Sequence, residues 1–76
     1  MVVYEAKISE INAAVDIMKK LKRYKLLAEV NTCKIYRENS VVIDVNLDEL
    51  ILISPSEDSI IKTLEDLGIK NYKKLM

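Results

Sequence analysis

Apolar and polar positions follow a period of two along most of the chain and a helical period in two windows. Val2, Tyr4, Ala6 and Ile8 alternate with Val3, Glu5 and Lys7, which predicts a first strand with one buried face. Ile11, Ala14, Val15, Met18 and Leu21 then recur at about 100° per residue and form one stripe. Ile17 and Tyr24 widen its flank, and Asp16, Lys19, Lys20 and Arg23 lie away from it. The pattern predicts a helix over roughly 10–24 with Ser9 as its N-cap.

Strand character returns with Leu26, Ala28 and Val30. The phase changes at Cys33 and Ile35, so a bulge or bend is expected near Asn31-Thr32. Residues Lys34 to Ile53 divide at Glu38-Asn39-Ser40 and at Asn46 to Glu49 into three short apolar runs, the signature of an antiparallel meander. Val41, Ile43, Val45 and Leu47 alternate with Val42, Asp44 and Asn46. Leu50 to Ile53 is apolar at every position. A strand covered on both faces is expected there, once by the chain's own helices and once by a second copy.

Ser54-Pro55-Ser56-Glu57 has the spacing of a capping box, with Ser54 as N-cap, Pro55 at N1 and Glu57 at N3. Ile60, Ile61, Leu64 and Leu67 give a second helix its apolar stripe. Gly68, the only glycine, falls where a left-handed C-cap is expected. Residues 69–76 form a basic tail, expected as a short strand or frayed. With no internal repeat or linker, residues 1–76 read as a single α+β domain. The expected order is strand-helix-strand-strand-strand(-strand)-helix around a small antiparallel sheet, with both helices on one face.

Size adds a constraint. A core of 76 residues stabilises by only about 3–5 kcal/mol unless a disulfide, a metal or self-association contributes. Cys33 is the sole cysteine and histidine is absent, so neither an intrachain disulfide nor a zinc site of the usual kind is available. Self-association is the expected addition. Val3 and Val42, on nominally polar strand faces, together with Leu50, Ile51, Leu52 and Ile53, are its candidate contacts.

The net charge is zero, but the charges are segregated along the chain. Lys19, Lys20, Lys22, Arg23 and Lys25 cluster at the end of the first helix, and Lys70, Lys73 and Lys74 lie in the tail. Acids dominate residues 38–68. Two functions are therefore expected to compete. The first is a non-catalytic homo-oligomeric, most simply dimeric, interaction or regulatory module. The second is a nucleic-acid-binding accessory protein that uses the two basic clusters, with Tyr24 or Tyr72 stacking on bases. A balanced net charge and the lack of a helix-turn-helix pattern favour the first.

Catalysis has little to work with. A lone glycine excludes glycine-rich phosphate loops, and without histidine the serines have no conventional base. Asp44, Asp48, Glu49, Glu57 and Asp58 are better explained as strand-face, turn and first-turn helix residues than as an acid/base pair or metal ligands. Cys33 is better explained as apolar filler than as a nucleophile. The expectation is no enzyme, no cofactor and no metal. Residues 1–10 lack signal-peptide character and no run reaches about 18 apolar residues, so no membrane partner and a cytoplasmic setting are expected. Scarce Gln with abundant Lys and Glu is the composition expected of a heat-adapted archaeal or archaeal-viral chain.

The order of elements resembles the half-domains of TATA-binding proteins and, equally, ferredoxin-like dimeric modules. The resemblance is one of element order alone. The chain has no phenylalanine to act as the wedge such DNA-binding domains insert, so the resemblance assigns no functional residue.

Overall fold

A computed structural model describes residues 1–76. The elements run β1 (Val2–Lys7), α1 (Ile11–Leu21), β2 (Lys25–Val30), β3 (Cys33–Glu38), β4 (Val41–Asn46), β5 (Glu49–Ser54), α2 (Glu57–Leu67) and β6 (Tyr72–Lys74). The six strands form one antiparallel sheet in the order β2-β3-β4-β5-β1-β6. This is the expected α+β class. The meander extends to four strands, and the basic tail forms β6 on the free side of β1.

Period-two alternation sends Tyr4, Ala6, Tyr36, Val41, Ile43, Val45, Leu50 and Leu52 to one face. There they form a single core with Ile17 and Leu21 of α1, Ile60, Leu64 and Leu67 of α2, and Ile69. Three two-residue hairpins connect β2 through β5, and their first loop residues, Asn31, Asn39 and Leu47, have positive φ. That φ pattern is the one a type II′ turn needs to match the twist of its strands. The phase change in the second strand is resolved differently from expectation. Asn31-Thr32 is the hairpin turn itself, and the irregularity lies earlier, where Leu27 is left without a register partner between Leu26 and Ala28.

Both helix starts differ from the expected ones. Strand pairing persists through Ser54, which sits opposite Val2, so the chain cannot turn into α2 there. The N-cap moves to Ser56, whose hydroxyl accepts from the Ser59 amide at 3.3 Å. Buried Ser54 instead accepts from the Ser56 amide at 3.1 Å. At α1 the N-cap is Glu10, with no side-chain cap bond, and Ser9 lies outside the helix. The C-terminus of α2 is as expected. Gly68 has φ +73°, and the amides of Gly68 and Ile69 return to the carbonyls of Glu65 and Leu64, a Schellman closure.

Candidate interaction surfaces

The sheet has one face under the helices and one face open. Cross-strand register orders the open face into rows. One row runs Val3, Ile53, Val42, Arg37, Lys25 from β1 to β2. The next runs Lys73, Glu5, Ile51, Asp44, Ile35, Ala28 from β6 to β2. Val3, Val42, Ile51, Ile53 and Ile35 are half-buried by their neighbours in the sheet, with no layer of this chain above them.

Leu50 and Leu52 have to be removed from the candidate contact set. They point to the helix face and are fully buried in the core, so only alternate residues of the doubly apolar run reach the open side. Val3, Val42, Ile51 and Ile53 remain on it. Ile35 and Arg37, which the sequence reading passed over, join them. The signal for them was the alternation of Cys33, Ile35 and Arg37 with core-facing Tyr36.

Asp44 sits near the middle of this face, directly between Ile35 and Ile51. Its Oδ1 is closed off from solvent and has no hydrogen-bond partner. A buried carboxylate oxygen without a donor carries an unrepaid desolvation cost. Arg37 is on the same face, and its only hydrogen bond is from Nε to the Asn39 carbonyl at 3.3 Å. The two side chains make no ion pair within the chain.

The basic residues do not gather into one patch. Lys25 begins β2 at one edge of the sheet, while Lys73 and Lys74 belong to β6 at the other. Lys70 follows α2 and lines a depression with Glu10, Ala13 and Ile17. Lys19, Lys22 and Arg23 are exposed, but Asp66 of α2 shares a depression with Lys20, Arg23 and Tyr24. The acids are equally dispersed, over the open face, the β4–β5 turn and both ends of α2. The segregation seen along the sequence is thus interleaved in space. No three acidic or cysteine side chains converge as metal ligands would. Cys33 is half-buried, beside Asn46 and Val30 on the open face.

A fourth cluster joins the tail to the body of the fold. Lys74 Nζ lies 2.6 Å from Glu57 Oε1, and the rings of Tyr4 and Tyr72 meet at 5.9 Å between centroids, tilted by 50°. Donation from Lys74 holds the Glu57 carboxyl below its usual range, and the same contact raises the Lys74 ammonium. Burial first, then the Glu57 charge, raises the Tyr4 hydroxyl. These groups hold charge and fasten β6 to the body of the fold.

The α1 stripe is rotated from expectation. Ile17 and Leu21 face the core, while Ile11 and Val15 are 84% and 48% exposed. Packing on α2 selects the flank, so Ile11 and Val15 are left open while Ala14 and Met18 are half-buried. No helix of the chain is long and apolar enough to cross a membrane. No protein-family model, curated protein or solved structure matches this chain.

Proposed function

We propose that the protein is a non-catalytic self-associating module whose open sheet face pairs with that of a second copy. The observation that carries this reading is the unpaired Asp44 Oδ1 in the middle of an apolar, uncovered face that also presents Arg37, exposed and without an ion pair. A two-fold pairing lets each copy's Arg37 meet the accessible side of the other's Asp44 carboxylate, giving both groups the ion pair they lack within one chain. The surrounding Val3, Val42, Ile51 and Ile53 supply apolar area, and the mixed charges around them suit a like surface better than a polyanion. Nucleic-acid binding at Lys19, Lys20, Lys22, Arg23 and Lys25 is the competing reading. It is less favoured because Asp66 adjoins that cluster and the tail lysines of β6 lie at the opposite edge of the sheet.

Sedimentation equilibrium of the wild type, Ile51→Asp and Asp44→Val tests the proposal. Ile51→Asp is expected to weaken assembly without unfolding the monomer. Asp44→Val separates specific pairing from general stickiness. It makes the face more apolar, yet it is expected to weaken assembly, by roughly tenfold or more for a lost desolvated charge pair. Unchanged assembly in Ile51→Asp, or tighter assembly in Asp44→Val, would overturn this reading.

A further inference from the structure

The three hairpin loops share one backbone geometry, and one of them brings together all the parts of a reaction. Their first residues, Asn31, Asn39 and Leu47, have φ of 55°, 53° and 55°, each followed by a residue without positive φ. In the type II′ turn that this pattern describes, ψ of the first residue lies near about −120°. That torsion eclipses Cβ with the amide nitrogen of the next residue, which is why a side chain is crowded there. For asparagine the crowding has a chemical outcome. It sets the side-chain Cγ beside the one backbone nitrogen able to close a five-membered ring on it. Leu47 has no electrophile to offer.

Asn39 is better placed for this closure than Asn31. Asn39 and Ser40 are both exposed. The Asn39 carboxamide has no hydrogen-bond partner. The Ser40 amide donates to nothing in the chain. Neither reacting group is therefore held by a competing bond. Arg37 Nε donates to the Asn39 carbonyl oxygen at 3.3 Å. That carbonyl and the Ser40 nitrogen belong to the same peptide unit. A cation on its oxygen stabilises the negative charge the unit takes on when the nitrogen gives up its proton. At Asn31 no side chain donates to the carbonyl, and the next residue is β-branched Thr32, whose hydroxyl is held by Asn46 at 3.4 Å.

We propose that Asn39-Ser40 is a self-modifying site, at which Asn39 deamidates through a succinimide under activation by Arg37. Solvent hydroxide removes the Ser40 amide proton. The nitrogen bonds to Asn39 Cγ, and the Cγ–Nδ2 bond breaks with release of ammonia. Water then opens the ring at either carbonyl and leaves aspartate or isoaspartate. One water is consumed and one ammonia released, and no other reactant is needed. Either product puts a carboxylate beside Arg37, the residue that the sheet-face pairing turns toward Asp44 of a second copy. Modification draws Arg37 into an ion pair within its own chain and weakens that pairing, a consequence that rests on the sheet-face reading.

Ageing the full chain at mildly alkaline pH tests the site, at a dilution where it is monomeric, both folded and in urea, with peptide mapping and isoaspartate detection. Folding ordinarily slows deamidation by holding asparagine away from the next amide. Here Asn39 is expected to react roughly tenfold faster in the folded protein than in urea, and ahead of Asn31. Arg37→Gln is expected to slow the folded-state reaction roughly tenfold and to leave the rate in urea unchanged, which a merely structural role would not do. Slower reaction of Asn39 when folded, reaction led by Asn31, or a folded-state rate indifferent to Arg37→Gln would overturn the proposal. Asn39→Asp, which carries the product charge, is expected to weaken association roughly tenfold in sedimentation equilibrium. A wild type that is monomeric at every concentration would remove the sheet-face reading and leave the modification site standing.

Discussion

Lys74 Nζ approaches Glu57 Oε1 to 2.6 Å and so joins the last strand to the first turn of α2. The pair also anchors β6 on β1, where Lys74 stands opposite Tyr4. Its linkage to pH has a definite sign. The Glu57 pKa is lowered in the folded protein, so its contribution is fully present above the unfolded carboxyl value, about 4.3. It is lost as pH falls through the lower folded value. The Lys74 pKa is raised, so its contribution is present below about pH 10.4 and lost as pH rises through the higher folded value. Glu57→Gln is expected to remove the acid-side component and to speed hydrogen exchange at the Leu75 and Met76 amides, which bond to the Val3 carbonyl. Unchanged exchange there would show that backbone pairing alone holds the tail.

Leu47→Asn tests the cost of holding leucine at positive φ. Asparagine accepts the left-handed backbone that leucine resists, and the site is exposed, so roughly 1 kcal/mol of added stability is expected at concentrations where the protein is monomeric. For a domain of this size that is a rise of roughly 4–8 °C in Tm. Lower thermal stability of the dilute protein would contradict the conformational argument.

Gly68→Ala tests the closure of α2. An added Cβ would meet nothing closer than Lys20 Nζ at 3.7 Å, so the cost is conformational and not steric. A loss of about 1–2 kcal/mol is expected for a non-glycine residue at φ +73°, with a smaller loss for Gly68→Asn. Urea denaturation of the two variants reads the difference. Equal losses would point to steric pressure instead.

Much of this fold was legible in the residues. Strict alternation identified β1 and β4 because one face of each is buried, and Gly68 marked the end of α2 because little else fits its φ. Tertiary pairing decided the rest. Ser54 carries a sound capping pattern, yet it stays in β5 because Val2 pairs with it. The α1 stripe reads as a core face, yet contact with α2 turned Ile17 inward and left Ile11 outside. The open sheet face was partly visible through Val3, Val42 and the run 50–53, but sequence alone could not divide that run into Leu50 and Leu52 inside and Ile51 and Ile53 outside. Asp44 looked like an ordinary polar-face residue, because nothing in the sequence reports that its oxygen would be sealed among isoleucines.

The position of β1 bears on how the chain is made. It is the earliest strand to leave the ribosome, yet both of its partners, β5 and β6, come from much later in the sequence. The β2–β5 hairpins can zip locally within microseconds to milliseconds, long before synthesis at about 5–20 residues per second has supplied everything β1 needs. Val2, Val3 and Tyr4 therefore stay without their strand partners until β5 has been made, on the order of seconds later.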